Sequence, residues 1–80
     1  MDLPKFYDEH VDKVYKFFYI KSLDKHIAED LTHDTFVAFM DKQDKFSAVS
    51  AKQYLYGIMR NTWINFLKMK YQSFLYFNNQ

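Results

Sequence analysis

Residues 26–34 carry the group of side chains in this sequence that most resembles a metal site. His26, Glu29 and His33 are spaced three and four residues apart, which places them on neighbouring turns of one face if the segment is helical. Two imidazoles and a carboxylate can hold a divalent ion. A motif this short also arises by chance on a solvated helix face that carries two histidines. We prefer that interpretation, and therefore predict no metal and no other cofactor.

Other patterns of catalytic residues are missing from the sequence. It contains no cysteine, which excludes a thiol nucleophile, disulfides and thiolate metal sites. With Gly57 as its single glycine, it has neither a glycine-rich phosphate loop nor a glycine-flanked nucleophilic serine. His10 falls on the apolar face of the first predicted helix, where we expect a core or boundary histidine. The sequence predicts that the protein is not an enzyme.

The elements that must position any binding residues are predicted to be helices. One glycine and one proline among 80 residues argue against hairpins and tight-turn β architectures. Apolar residues recur at helical spacing and predict helices over about 4–22, 25–42 and 51–71, with Asp24 as the N-cap of the second. We expect an all-α fold, a small bundle of three main helices, in one domain over 1–80. Its core is about 4–71, and residues 72–80 form an apolar C-terminal tail of unexplained role.

Charge is divided unevenly between the two halves of the chain. Residues 1–44 hold six Lys and ten acids, a net −4, whereas residues 45–80 hold four Lys, one Arg and no acid, a net +5. The basic half suits a polyanionic partner. Aromatic residues lie among its cations and could stack on unpaired bases, although aromatics at helical spacing are more often core residues. With no membrane-spanning stretch and no signal peptide, we expect a cytoplasmic protein that does not bind membranes.

Two motifs at their usual separation resemble region 2 of bacterial RNA polymerase sigma factors, of the extracytoplasmic-function (ECF) type. "AEDLTHDTF" at 28–36 is similar to the motif of the second helix in that family, and "YLYGIMRNTWINFLK" at 54–68 is similar to that of the third. The resemblance covers about residues 5–71. It implies a domain that binds core RNA polymerase and that recognises and melts the minus-ten promoter element.

The resemblance also implies which residues make each contact. The acidic face of the second helix would dock on the clamp helices of the polymerase β′ subunit, through Glu29, Asp30, His33, Asp34 and Phe36. The connector and the third helix would hold the non-template strand of promoter DNA, with one base flipped into a pocket. By the resemblance, these contacts would be made by Phe46, Ser47, Arg60, Asn61, Lys68 and Lys70. The cations, rings and amides of the basic half add the other predicted DNA-binding residues, Lys45, Lys52, Tyr56 and Asn65. An anti-sigma factor is a further possible partner.

Some features depart from the family pattern. Asn65 stands where the family usually has aspartate, and the arginine-rich run is reduced to "KMKYQ" at 68–72. The helix-turn-helix domain that reads the minus-thirty-five element is not found in the sequence. Two alternatives therefore stay open. One is a sigma-like interaction module that binds polymerase or an anti-sigma factor without recognising DNA. The other is a helical single-strand nucleic-acid binder without sequence preference.

Overall fold

The computed structural model describes residues 2–45, 47 and 50–78, and in these ranges the chain forms three α-helices and no strand. Helix α1 spans Leu3–Ser22, α2 spans Lys25–Asp41 and α3 spans Ala51–Asn78, with a short 3₁₀ turn at Gln43–Lys45 between α2 and α3. The predicted all-α bundle is confirmed. None of the helices in the described ranges is long and apolar enough to span a membrane.

Local sequence signals fix the ends of the first two helices. Asp2 caps α1 by accepting a hydrogen bond from the Lys5 backbone N–H at 3.1 Å. The predicted N-cap of α2 is confirmed, because the Asp24 carboxylate accepts from the Ile27 N–H at 3.0 Å. Between these helices Leu23 has a φ of 53° and donates its N–H to the Tyr19 carbonyl, which ends α1 in a left-handed turn.

The core lies where the three helices meet and is built largely from α2. Its aromatic centre includes Phe39, which stacks on Phe6 of α1 with ring centroids 4.8 Å apart. Two buried threonines of α2 need no partner outside the helix, since Thr32 and Thr35 donate to the carbonyls four residues before them. The buried apolar residues are Val14, Phe18, Ala28, Leu31, Phe36, Phe39, Ala51, Leu55 and Met59.

Helix α3 is longer than the sequence predicted. It was expected to end near Tyr71 but continues to Asn78, a total of 28 residues and about 42 Å at 1.5 Å per residue. Neither glycine nor proline follows Gly57, so no helix-stop signal interrupts the apolar tail. The bundle covers only the first part of α3, and every residue from 67 to 77 is exposed. We refer to residues 67–77 as the overhang.

Candidate functional surfaces

The outer side of α2 carries an exposed acidic surface. Glu29, Asp30, His33 and Asp34 are all exposed, and we call these four residues the docking face. Their position follows from the helical repeat, since the apolar residues of α2 fill the opposite side and face α1 and α3. The structure therefore brings together four of the five residues predicted to bind a polymerase.

Phe36, the fifth residue of that predicted set, lies in the core. It is only 5% exposed, and its ring packs edge-on against Tyr7 of α1 with centroids 4.7 Å apart. Burial at this level argues against a direct contact with a partner. Phe36 instead holds α1 and α2 together beneath the docking face, a role its apolar neighbours in the sequence could have suggested.

A groove between α1 and α2 runs beside the docking face. It has a volume of about 480 Å³ and is lined mainly by apolar side chains of the two helices, while Asp12, Glu29 and His33 add polar groups. Tyr7, Val37 and Met40 line it and are 45%, 38% and 46% exposed. None of these three residues was predicted from the sequence to contact a partner. Val37 offered a signal, because it is an apolar residue outside the core stripe of α2.

On its other side the docking face borders a shallow depression against α3. Asp34 lies there with Asn65 and Phe66, in a space of about 360 Å³. Glu29 and His33 thus face the α1 side of α2, and Asp34 faces the α3 side. A partner seated on the docking face would contact both flanks of α2.

One side of α3 carries Tyr54, Gly57, Asn61, Asn65 and Lys68, and we call these residues the polar stripe. The stripe begins next to the connector. Tyr54, Gly57 and Asn61 line a depression of about 350 Å³ together with Lys42 at the end of α2. No atom lies within 4 Å of the position that a Cβ on Gly57 would occupy, so the glycine leaves the surface open. An aromatic ring, an amide and a cation around open space are groups that can hold an unpaired base and its phosphate.

The predicted DNA-binding residues of α3 do not form one surface. At 3.6 residues per turn, Lys68 shares the side of Asn61 and Asn65, whereas Lys52, Tyr56 and Lys70 lie about half a turn away. Tyr56 is half-buried, its ring meets His10 of α1 edge-on at 6.2 Å, and the Lys52 ammonium lies 6.0 Å from the ring centroid. Tyr56 therefore takes part in the α1–α3 contact, and its predicted role as a base-stacking platform is not supported.

The other predicted DNA-binding residues are at the surface or outside the described ranges. Lys45, Ser47 and Arg60 are exposed, and Arg60 lies nearer the Lys52 side of α3 than the Asn61 side. Phe46 lies outside the described residues. The Lys70 ammonium is placed 5.6 Å from the centroid of the Phe66 ring.

His10 lies at the edge of the core between α1 and α3, and its surroundings lower its pKa. Its ring lies 4.4 Å from that of Phe6, and its buried Nδ1 has no hydrogen-bond partner among the described residues. Burial lowers the pKa below the usual value by penalising the charged form, and the Lys52 and Lys13 charges lower it further, against an opposing effect of Glu9. The predicted boundary histidine is found where expected.

No cluster of three or more potential metal ligands exists within the described residues. His26, Glu29 and His33, whose spacing in the sequence resembles a metal site, do not form such a cluster.

Comparison with known proteins identifies the family. The sequence matches the family described as Sigma-70 region 2 over residues 6–72. The chain belongs to the sigma-70 region 2 family. The similarity covers all three helices, so the resemblance to region 2 of ECF-type sigma factors is confirmed.

A curated relative of this region 2 domain is the ECF RNA polymerase sigma factor SigM of Bacillus subtilis (strain 168). The two are 28% identical over 68 residues, which is 85% of this chain and 42% of the relative. The chain thus spans less than half the length of that relative. No match was found among solved structures. The region 2 domain described here is a sigma factor domain.

Proposed function

We propose that this region 2 domain binds the β′ clamp helices of core RNA polymerase through its docking face. The observation that carries the proposal is that Glu29, Asp30, His33 and Asp34 stay exposed together on the α2 of a sigma-70 region 2 scaffold. Three carboxylates on one helix face attract a basic surface. Complementary charge of this kind speeds encounter and fixes the register of the complex more than it adds affinity.

We propose further that α3 holds the opened minus-ten element along its polar stripe. The depression lined by Tyr54, Gly57 and Asn61 offers a space for one base outside the stack. Unstacking a base costs a few kcal/mol (~2–3), which contacts in such a space must offset. Asn61 and Asn65 lie one turn apart and can pair with base edges, while Lys42 and Lys68 supply charge for phosphates.

The polymerase contact is tested by titrating the chain against the isolated β′ clamp-helix fragment. Asp30→Lys with Asp34→Lys should abolish binding, because both acids would then repel a basic surface. The matched control is Asp8→Lys with Glu9→Lys, which makes the same change of charge at exposed positions of α1. Equal loss in both variants would show that only total charge matters and would refute the assignment of the docking face. Helicity measured by circular dichroism verifies that each variant is folded.

The promoter contact is tested with Asn61→Ala and a fluorescent single strand that carries a minus-ten sequence, in the presence of polymerase. Alanine favours helix more than asparagine does, so the variant should remain folded. It should bind polymerase normally but bind the minus-ten strand poorly. Gln72→Ala, further along the same side of α3, is the control that should behave like the parent. If Asn61→Ala binds the minus-ten strand as well as the parent does, the polar stripe is not the promoter site.

One observation favours the interaction module that lacks DNA recognition. The overhang carries two cations, Lys68 and Lys70, among mostly apolar side chains, and apolar side chains suit a protein partner better than they suit phosphates. That module would bind the clamp fragment but show no preference for minus-ten sequence. A non-specific single-strand binder would instead bind any strand, with affinity that falls steeply as salt rises.

A further inference from the structure

The overhang of α3 is an exposed, mostly apolar helix surface. Leu67, Phe74 and Phe77 are 47%, 63% and 78% exposed. Their spacing of seven and three residues aligns them along one side of the helix, and Lys70 lies on that side between them. Apolar side chains exposed in this density are typical of an interaction surface.

A second exposed apolar surface is the α1–α2 groove, and its charge is opposite to that of the overhang. Asp12 and Glu29 line the groove, whereas the overhang carries Lys68 and Lys70 and no acid. A basic amphipathic helix laid against an acidic apolar groove is a common form of protein recognition. The two surfaces therefore complement each other in both apolar character and charge.

The overhang of one molecule cannot reach the groove of the same molecule. Met69 and Leu31 line the same depression on the α3 side of α2, so the overhang runs along that side past the first turns of α2. The groove lies between α1 and α2 and extends to Met40, near the opposite end of α2, and no α3 residue lines it. Because α3 is one continuous helix to Asn78, it does not fold back. Any contact between overhang and groove must join two molecules.

We propose that two copies of this chain form a reciprocal dimer, in which the overhang of each copy docks in the α1–α2 groove of the other. Two copies side by side in opposite directions place each overhang next to the partner's groove, and the two identical contacts close the assembly. Phe74 and Phe77 enter the groove beside Tyr7 and Val37, and Lys70, on the same side of the overhang, meets Asp12 and Glu29.

The dimer covers Glu29 and His33, which belong to the docking face. If the proposed polymerase contact is correct, self-association and polymerase binding exclude each other. High concentrations of the chain would then hold the sigma domain in a form that does not bind polymerase. This consequence rests on the proposed function, but the dimer itself does not.

The dimer is tested by sedimentation equilibrium of the full chain alone, from micromolar to near-millimolar concentration at low salt. The average mass should rise from the 9.8 kDa of one chain towards twice that value. Phe74→Glu with Phe77→Glu should keep the chain monomeric at every concentration, because it places charge in an apolar contact. These side chains are exposed, so the variant should keep its helicity.

A charge-swap experiment separates this dimer from other forms of association. Lys70→Glu, and separately Asp12→Lys with Glu29→Lys, should each weaken dimerisation by about tenfold or more, through like-charge repulsion at both contacts. An equimolar mixture of the two variants should dimerise again, since both contacts are then complementary. Lys13→Glu, at an exposed position of α1, is the matched control for Lys70→Glu and should dimerise like the parent.

Several results would overturn the proposal. If the parent chain is monomeric at all concentrations, the overhang does not bind a second copy of this chain. A dimer that survives the Phe74/Phe77 variant, or a mixture of charge variants that does not re-associate, would place the contact elsewhere. No polymerase is present in these measurements, so their failure is distinct from failure of the proposed polymerase contact.

Discussion

Replacing His10 by phenylalanine should stabilise the fold. The His10 ring packs 4.4 Å from Phe6 and meets Tyr56 edge-on, while its buried Nδ1 has no hydrogen-bond partner among the described residues. A buried polar atom without a partner costs about 1–3 kcal/mol. Since the ring is only partly buried, the lower end of that range applies. We expect His10→Phe to raise the free energy of unfolding by about 1 kcal/mol near neutral pH.

The same substitution should remove part of the pH dependence of stability. Burial holds the pKa of His10 in the folded chain below its usual value of 6.5, so between these two pKa values the unfolded chain binds more protons. Stability from this group is therefore fully present above about pH 6.5 and is lost as the pH falls towards the folded pKa. Each unit of difference between the two pKa values corresponds to about 1.4 kcal/mol.

Urea unfolding followed by circular dichroism measures both effects. The parent, His10→Phe and a control, His26→Gln at an exposed position, are compared at about pH 7.5 and about pH 5.5, a range in which histidine titrates. The parent and the control should lose more stability between these pH values than His10→Phe does. Equal losses in all three would mean that the environment of His10 does not disfavour its charged form, and the reasoning would be refuted.

Three further substitutions test the packing and the helix ends. Phe18→Ala, at a fully buried position, should lower the unfolding free energy by about 3–5 kcal/mol and leave a small domain largely unfolded, which thermal unfolding would show as loss of the cooperative transition. Asp24→Ala removes the cap of α2 and should cost about 1 kcal/mol, measured as a lower urea midpoint with an unchanged slope; no shift would mean that the cap contributes nothing. Gly57→Ala should raise the free energy of unfolding by about 0.8 kcal/mol, because alanine favours helix more than glycine does and its Cβ would meet no atom within 4 Å. If the open space at Gly57 accommodates a base, that variant should also bind the minus-ten strand more weakly, while a lower melting temperature would contradict the description of the site.

The sequence allowed the helices and most of their ends to be predicted, because the signals for them are local. Asp24 as an N-cap and the apolar repeat of α2 depend on neighbouring residues alone. The end of α3 was placed too early, near Tyr71. The apolar tail contains no glycine or proline, so its sequence is compatible with a continuing helix. The sequence alone does not show whether the other two helices cover that part of α3.

The candidate sites were predicted less completely, because they depend on how helices pack. The acids of the docking face follow from helical spacing, and the structure keeps them together. Phe36 and Tyr56 were assigned to contacts with partners, but each packs against α1, which spacing within one helix does not reveal. The α1–α2 groove was missed for the same reason, since its two walls are distant in the sequence. The separation of Lys52 from Asn61, by contrast, follows from the helical repeat and could have been deduced.

The continuity of α3 makes it a molecular ruler. From Gly57 to Phe77 the helix runs through 20 residues without a glycine or proline, a length of about 30 Å. The depression at one end and the exposed rings at the other therefore keep a fixed distance and a fixed rotation about the helix axis. Inserting one residue between them would turn the rings by about 100° about the helix axis but move them only ~1.5 Å along it. A change in helix length therefore alters the direction in which the rings face far more than their distance from the depression.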